Sequence, residues 1–431
     1  MGIVIGILIL SVMMIVHELG HFLTGRALGF TIEEFSIFMG PKIFSTERNG
    51  IRYSLRLLPI GASVSFAGEY EEDGDVSNDP GAFFNRPKWA RAIVIATGPA
   101  LNLLSGILAF LIMFTAFGFT LPIVPAVYEN TQAAATDLKA GDRIIAAEGE
   151  VIRTSLDYGF VEFFHDPAAP LELTVRGADK EVRQVVIKPI YLKNYRLGVQ
   201  VKPETQQGGG VVNTVDATSN GGNPVLQPED ILLAADGVPY SDREAFSAAV
   251  AATAGKPFTI TVIRQGQQLD LTMAATEYND LLPRGVYFSS SKAFFPAVEQ
   301  AVQSSWSIVK LTVKSIGRLI SGDIAPRDSL AGPVGVVTMI SDTVANDTTL
   351  TQKVIELLWM FALISVSLGF MNLLPIPPLD GNHLVLIGLE GIRGKRLSPK
   401  VQSIVGVVGI TLIIMLALAG LFFDILRLTG R

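Results

Sequence analysis

Residues 16 to 21 read Val16-His17-Glu18-Leu19-Gly20-His21 and lie inside an apolar run that begins at Gly2. Residues four apart on an α-helix share a face, so His17 and His21 can direct two imidazole nitrogens at one metal ion. Zn²⁺ held by three protein ligands keeps a fourth position for water and lowers the pKa of that water to about 7. Glu18 lies beside this position and can accept the proton. The stretch predicts an apolar helix that carries a metal site and a general base.

The same spacing could also arise by chance on a helix that packs two histidines into its core. The chain has only 4 histidines, however, and two of them flank a glutamate here. An acid at mid-membrane costs about 2.5 to 3.5 kcal/mol unless it is paired or metal-bound. The metal interpretation is therefore favoured. The third ligand is not local, because Thr24 stands where the longer His-x-x-Gly-x-x-His signature has glycine.

Composition indicates a membrane protein. The 431 residues are 49% hydrophobic, with a mean hydropathy of +0.42. Four apolar stretches are long enough to span a bilayer, and we place the spans at residues 1–29, 92–121, 354–381 and 404–428. The first has no basic N-terminal region and no small-x-small cleavage site of a signal peptide, so we expect a retained helix. The chain has no cysteine, and its net charge of -6 argues against a nucleic-acid partner.

Basic residues predict the orientation. Lys and Arg are frequent in residues 30–91 and in the segment 382–403, which we expect to be a loop. By the positive-inside rule, both segments are cytoplasmic, and both termini and residues 122–353 lie outside.

Residues 30–91 change period. Ile51, Tyr53 and Leu55 alternate with polar residues, as in a strand, and this predicts membrane-associated β-hairpins. The sheet could be a cytoplasmic element without a catalytic part. Alternatively, one of its edges, near residues 51–65, could receive an extended substrate.

A repeat follows the second span. The sequence LKAGDRIIAAEG at residues 138–149 matches LQPEDILLAADG at residues 226–237, with Glu229 in the place of Gly141. The repeat predicts two α/β domains, at residues 122–203 and 204–290, and each copy is followed by a Gly-Val strand that begins at Gly198 or Gly285.

Residues 291–353 contain an amphipathic pattern and a connector. Apolar residues recur at helical spacing while Lys310, Lys314 and Arg318 stay polar, so a membrane span is excluded. We expect a helix on the outer membrane surface, with packing under the second repeat domain as the alternative.

The third span ends in Asn372-Leu373-Leu374-Pro375-Ile376-Pro377-Pro378-Leu379-Asp380-Gly381. The prolines must break the helix and free backbone polar groups, which is tolerable only where these groups line a protein cavity. Asp380 is the acid near this end. With His17 and His21, it would complete a site of two histidines and one carboxylate.

With HELGH on the first span and NLLPIPPLDG at the end of the third, the chain resembles the site-2 protease family of intramembrane zinc metalloproteases, and its repeat resembles tandem PDZ domains. The expected fold is a polytopic α-helical membrane protein with four transmembrane helices. A membrane-associated β-hairpin region and two extracytoplasmic PDZ-like α/β domains complete it.

The resemblance implies one Zn²⁺ per chain, bound by His17, His21 and Asp380, with Glu18 as the catalytic base. It implies cleavage of single-pass membrane proteins within or next to their transmembrane segment, such as trimmed anti-sigma factors and remnant signal peptides. The expected location is the bacterial inner membrane, in contact with lipid, with the PDZ domains in the periplasm and the active site towards the cytoplasm.

The expected substrate-binding residues are Asn372, Pro375, Pro377, Asn102 and Gly61. The PDZ-like domains could restrict substrate access, capture a peptide at grooves near Gly198 and Gly285, or serve only as spacers. Two other classes of protein compete with the protease: a membrane-anchored PDZ scaffold with a vestigial site, and a zinc transporter. Peptide cleavage that depends on Glu18 would separate them.

Overall fold

The computed structural model describes residues 2–69, 78–325 and 332–428. In this part of the chain, four helices are long and apolar enough to cross a membrane: Gly2–Ala27, Lys88–Phe117, Leu350–Asn372 and Lys400–Arg427. The described residues form two compact units. The first contains those of Met1–Pro122, Val151–Phe160 and Phe288–Arg431, and the second contains Ile123–Glu150 and Val161–Tyr287.

The longer helices are, in chain order, α1 Gly2–Ala27, α2 Lys88–Phe117, α3 Ser155–Phe164, α4 Arg243–Ala252, α5 Phe294–Ser321, α6 Pro333–Ala345, α7 Leu350–Asn372, α8 Asp380–Arg393 and α9 Pro399–Leu428. Short turns of helix occur at Phe83–Asn85, Gln132–Ala135 and Ser219–Gly222. The strands are β1 Ile32–Arg48, β2 Ile51–Phe66, β3 Phe119–Leu121, β4 Arg143–Ala147, β5 Glu150–Val151, β6 Leu171–Arg176, β7 Val182–Ile187, β8 Tyr191–Arg196, β9 Val199–Gln206, β10 Gly209–Val215, β11 Ile231–Ala235, β12 Val238–Pro239, β13 Pro257–Arg264, β14 Gln267–Ala274, β15 Thr276–Leu281 and β16 Ser289–Ser291.

Glycines set the distance between the membrane helices of the first unit. A Cβ atom on Gly20 of α1 would lie 2.4 Å from the carbonyl oxygen of Thr97 on α2, so a side chain cannot fit there. A Cβ atom on Gly369 of α7 would lie 2.8 Å from the carbonyl oxygen of Pro99. Small residues that let helix backbones approach closely are the usual means of packing helices in lipid. Helix α2 is therefore held tightly between α1 and α7.

The β-region after α1 is one long hairpin that folds back on itself. Its turn is Asn49-Gly50, with φ of +56° and +75°, as a two-residue hairpin turn requires. Gly40 and Gly61 also have positive φ, at +84° and +85°, and each lies where its strand reverses. As a result, Ser36 pairs with both Ser54 and Ser63. The hairpin thus forms four rows in the order 42–48, 51–56, 32–37 and 62–66.

The row 62–66 is an outer edge of this sheet, and no other strand of the described chain pairs with its far side. We expected the edge near residues 51–65 without separating its two halves. Tyr53 pairs with both Phe35 and Thr46, so residues 51–56 are interior and only residues 62–66 are available. An aromatic cluster that includes Phe22, Phe35 and Phe66 packs the sheet against α1.

The second unit holds both repeats. One sheet has the strand order β5-β4-β6-β7, and a second has the order β14-β13-β11-β10-β9, with β12 beside β11. The same turn recurs in both copies: Gly141 has φ of +90° and Glu229 has φ of +70°, so the glutamate adopts the left-handed conformation of the glycine that it replaces. Asp142 pairs with Arg183, and Asp230 pairs with Arg264 at 2.7 Å.

The second copy is inserted into the first. Strand β8 pairs with β15 from Tyr191↔Leu281 to Arg196↔Thr276. All strands of the second sheet come after β8 and before β15 in the sequence. The domain boundary that we expected between residues 203 and 204 falls inside β9, which pairs with β10 of the second sheet. That expectation missed the insertion because the repeat unit was assumed to be contiguous.

Helix α5 is amphipathic, as expected, but its buried face, which packs against α2 and α7, consists mainly of small residues such as Ala297, Ala301 and Ser305. The larger apolar residues, Trp306 and Val313 among them, are exposed. Helix α6 packs against α1, and the N–H groups of Gly332 and Gly335 donate to the buried carboxylate of Asp424 on α9.

The third span differs from the expected range. We placed its end at residue 381, but α7 ends at Asn372, because the prolines that follow cannot continue a helix. The segment 382–403, which we expected to be a loop, is largely α8, and Asp380 is the first residue of that helix.

The contact at Gly20 can be tested with Gly20→Ala. The added methyl group must push Thr97 away, and overpacking of this kind costs about 1–3 kcal/mol. We expect a lower midpoint of thermal unfolding for the purified full-length protein in detergent. Gly388→Ala on α8 is the control, since its Cβ atom would meet nothing within 4 Å. Equal midpoints for the two variants would contradict the proposed tight contact.

Candidate metal centre

Three side chains that are distant in sequence meet between α1 and the start of α8. The Nε2 atoms of His17 and His21 are 3.2 Å apart, and the carboxylate of Asp380 lies 3.0 Å from the first and 3.6 Å from the second. All three possible ligand atoms lie within 4.8 Å of one another. Two imidazole nitrogens and one carboxylate oxygen are a donor set that zinc accepts and that leaves one position open. The expected ligands therefore come together.

Each imidazole has a defined outer neighbour. The Nδ1 atom of His21 lies 2.9 Å from the carbonyl oxygen of Val94, which can accept its proton and leave Nε2 free to bind a metal. The Nδ1 atom of His17 lies 3.4 Å from the amide nitrogens of both Asn102 and Asn372. Gly98 makes room for His21, since a Cβ atom at this glycine would lie 2.3 Å from Nε2 of the imidazole.

Asp380 is positioned by the helix that it begins. At the other end of α8, Glu390 forms an ion pair of 2.8 Å with Arg91 of α2, whose side chain is 3% exposed. Although burial raises the pKa of Asp380, hydrogen bonds from His17 and His21 outweigh it and lower the pKa to about 2. The carboxylate is therefore ionised, as a metal ligand must be.

Glu18 faces the edge of the β-sheet. Its Oε2 atom accepts a hydrogen bond of 3.0 Å from the backbone N–H of Val64, which lies in the edge row 62–66. Glu18 borders the cavity but is not one of the three grouped donors. The carboxylate is thus placed next to the donor set and tied to the strand edge.

The cavity at this site has a volume of about 290 Å³. Besides the grouped donors and Glu18, its lining includes Ser63, Val64, Glu69, Asn372 and His383. Burial raises the pKa of Glu69 to about 7, even though the N–H of Phe66 donates to its carboxylate. Sequence reasoning missed Glu69 and His383. For His383, the signal was its position three residues after Asp380; Glu69 gave none, since it opens an acidic stretch that is typical of solvated loops.

The predicted substrate-binding residues divide into two groups. Asn372 lines the cavity, whereas Asn102, Pro375, Pro377 and Gly61 are not among its lining residues. Asn102 is completely buried, and Gly61 packs against Met39. The carbonyl oxygen of Pro377 lies so close to Gly409 of α9 that a side chain there would clash. Pro378, which we did not single out, lines the cavity instead.

The two glycines expected at PDZ-like grooves differ in whether a strand follows them. Gly198, with φ of +68°, directly precedes β9, and a cavity of about 210 Å³ beside that strand is lined by Val199, Val201, Tyr240 and Phe246, among others. Gly285 does not begin a strand, contrary to expectation. The backbone oxygens of its neighbours Pro283 and Arg284 accept hydrogen bonds from Gln132 and Ala133, and its α-carbon packs on Thr131.

A donor set of this kind between apolar helices, with a glutamate beside it, is that of a membrane-embedded zinc metallopeptidase. The model of peptidase family M50 matches residues 5–416, and the chain belongs to that family. It is 29% identical over 453 residues to the regulator of sigma-E protease RseP of Salmonella typhimurium strain 14028s, and 29% identical over 451 residues to RseP of Escherichia coli K12. Each alignment covers 98% of both chains.

The family match confirms the resemblance that we drew from the HELGH and NLLPIPPLDG motifs. The expected architecture of four long apolar helices with intervening β-sheet regions is confirmed as well.

The ion pair between Glu390 and Arg91 can be tested with Glu390→Ala. Removing this carboxylate leaves the buried Arg91 without its partner, and an uncompensated buried charge costs about 3–5 kcal/mol. Because α8 also carries Asp380, zinc content should fall together with thermal stability. Arg393→Ala is the control, since this side chain is exposed at the end of the same helix. Wild-type zinc content and stability in Glu390→Ala would show that the ion pair does not position Asp380.

Proposed function

We propose that the chain is an intramembrane endopeptidase that hydrolyses peptide bonds within or next to the transmembrane segment of single-pass membrane proteins. The observation that carries the proposal is the position of Glu18. This carboxylate borders the His17, His21 and Asp380 group and also contacts an open strand edge through Val64. A scaffold or a transporter has no need of a base placed between a metal site and a peptide-binding edge.

His17, His21 and Asp380 would hold one Zn²⁺ per chain, and a bound Zn²⁺ supplies the Lewis acidity that makes water nucleophilic at neutral pH. Glu18 would accept a proton from the attacking water and deliver it to the leaving nitrogen. The N–H of Val64 orients one oxygen of Glu18, and the other oxygen would make this transfer.

The edge row 62–66 would hold the substrate as an added strand. A peptide bond inside a helix is shielded by side chains and by its own hydrogen bonds, so the scissile segment must become extended first. Ser63 and Val64 line the same cavity as the metal ligands, which places a strand edge within reach of the site. Main-chain hydrogen bonds to such an edge bind extended peptides with little dependence on sequence.

An extended substrate can be tested by changes in the sheet or in the substrate itself. Proline within residues 53–57 would break interior ladder bonds, since Tyr53, Ser54 and Leu55 each have partners on both sides. The substrate is the better place for a change. We expect helix-breaking residues in its membrane segment to speed cleavage.

Backbone N-methylation of a synthetic substrate should have a two-residue period, because alternate N–H groups of a strand face the same edge. Methylation of the N–H groups that face residues 62–66 should slow hydrolysis, and methylation one residue away should not. Hydrolysis rates of such a series by mass spectrometry provide the measurement. Rates without a two-residue period would remove the strand-addition hypothesis.

The roles at the metal predict different outcomes for two variants. Glu18→Gln should keep zinc near one per chain while cleavage falls by at least about 10²-fold, because only the base is lost. Asp380→Asn should lose both zinc and activity, because a neutral amide oxygen is a weaker ligand. Metal analysis and cleavage of a single-span substrate in the same reconstituted sample test the pair. Loss of zinc in Glu18→Gln, or its retention in Asp380→Asn, would contradict the assignment.

For the biological setting, we propose the bacterial inner membrane, with the repeat unit in the periplasm and the metal site towards the cytoplasm. The Lys- and Arg-rich segments 30–91 and 382–403 support this orientation. Trimmed anti-sigma factors and remnant signal peptides are the proposed substrates. The relatives named regulator of sigma-E protease support the first of these.

The PDZ-like copies would restrict access of substrates with bulky outer domains. The alternative is peptide capture by the second copy, where β9 is an edge strand of the described sheet and an apolar cavity lies beside it. The nested arrangement allows a clean separation of the two roles. Arg196 and Thr276 are directly paired, so Asn-Gly can replace residues 197–275 and close β8 and β15 as a two-residue hairpin.

If the second copy contributes to a size filter, this replacement should allow untrimmed substrates to be cut while trimmed ones remain good substrates. If the second copy captures a newly exposed terminus, cleavage of trimmed substrates should fall instead. Zinc content, measured alongside cleavage of both substrates, shows whether the membrane unit has stayed intact. Unchanged selectivity would leave the second copy as a spacer and contradict the filter.

A further inference from the structure

A buried amide next to His17 is not explained by the proposed mechanism. Asn102 of α2 is 0% exposed, and its Oδ1 atom has no hydrogen-bond partner among the described residues. Its Nδ2 atom lies 3.4 Å from Nδ1 of His17. A buried polar atom without a partner costs about 1–3 kcal/mol, and native proteins contain few of them. Such an atom beside a metal-binding histidine needs an explanation.

The backbone of Asn102 is fixed from two sides. Its carbonyl oxygen accepts hydrogen bonds from Ser105 at 2.9 Å and from Ser365 of α7 at 3.0 Å, and these two hydroxyls lie 2.8 Å from each other. The main freedom left to the residue is rotation of its amide. A half turn exchanges Oδ1 and Nδ2 with little change in shape.

Metal binding changes what His17 requires from this amide. Its Nε2 atom faces His21 and Asp380, so a metal would take that nitrogen, and the proton of the neutral ring would be on Nδ1. An N–H donor at this position needs an acceptor, which Nδ2 cannot be. Oδ1, brought round by the half turn, can accept it. The same half turn gives the unpartnered oxygen its hydrogen bond.

We infer that Asn102 is a positioning residue of the metal site: its Oδ1 accepts the Nδ1 proton of His17 and so fixes the tautomer and the ring orientation of that ligand. Val94 performs this task for His21 through its carbonyl oxygen. Partners of this kind typically contribute 10- to 100-fold to metal affinity or activity. The inference rests on the metal site of the proposed function, but not on peptide cleavage.

Asn372 lies at the same distance from Nδ1 of His17, but its surroundings differ. Its side chain is half-buried and lines the cavity, so it can reach a substrate. One N–H group has one proton to donate, and the fully buried amide with the unpartnered oxygen is the better acceptor. The two asparagines are thus assigned different roles, although we expected both to bind substrate.

Zinc affinity provides the test, measured by competition with a chelator on the purified full-length protein. Asn102→Leu keeps the number and branching of the side-chain atoms but has no acceptor, and it should weaken zinc binding by about 10- to 100-fold. Asn102→Asp keeps an acceptor at the same place and should retain most of the affinity. Asn372→Leu should leave zinc affinity unchanged while cleavage slows. Wild-type affinity in Asn102→Leu, or equal losses in the Leu and Asp variants, would overturn the inference.

Further variants distinguish this role from a merely structural role of Asn102. Ser365→Ala removes the contact between α2 and α7 at this point, so it should lower thermal stability without the loss of zinc affinity. In a His17→Ala background, Asn102→Leu should cause no further loss, and an equal loss in both backgrounds would contradict action through His17. If Asn102→Leu does not fold, Asn102→Ser, whose hydroxyl is too short to reach Nδ1, should show the same weakening.

These measurements also separate the inference from the proposed function. A wild-type protein that binds zinc through His17 but cuts no peptide would end the proposal of proteolysis and leave the role of Asn102 intact.

Discussion

The distance between the first two membrane helices is the constraint on which the site depends. Gly20 lies directly against the carbonyl oxygen of Thr97, and Gly98 leaves the space that the imidazole of His21 fills. At this distance, Nδ1 of His21 reaches the carbonyl oxygen of Val94. Polar side chains within an apolar helix need such partners, because lipid offers none. The metal site therefore depends on the glycine between the two histidines as well as on their spacing.

The local part of the site could be predicted from the sequence. His17, Glu18 and His21 lie within one helical turn and a half, and helix geometry alone gives their relative positions. Asp380 could be found because prolines precede it and no other acid lies nearby. The ion pair between Arg91 and Glu390 joins residues 299 apart in the chain, and no local pattern indicates it. The contact of Glu18 with Val64 depends in the same way on tertiary packing.

Strand patterns in the sequence also do not predict tertiary contacts. Alternation at Ile51, Tyr53 and Leu55 correctly predicted a strand, but alternation indicates which face a residue occupies and not which strand lies beside it. The fold-back at Gly40 and Gly61 made residues 51–56 interior and residues 62–66 the edge. Likewise, the internal repeat was recognisable, but its nesting was not, because sequence similarity does not show how strands pair.

The nesting of the second PDZ-like copy has a mechanical consequence. The copy is joined to the first at Arg196 and Thr276, which are neighbours at the end of the β8–β15 ladder. A force on the second copy would pull both strands in the same direction, from the same end of the ladder. It would not draw the two strands apart, so the hydrogen bonds between β8 and β15 would not have to bear it. Tension on the second copy would therefore pass along both strands to the first copy, and the two copies would bear it together.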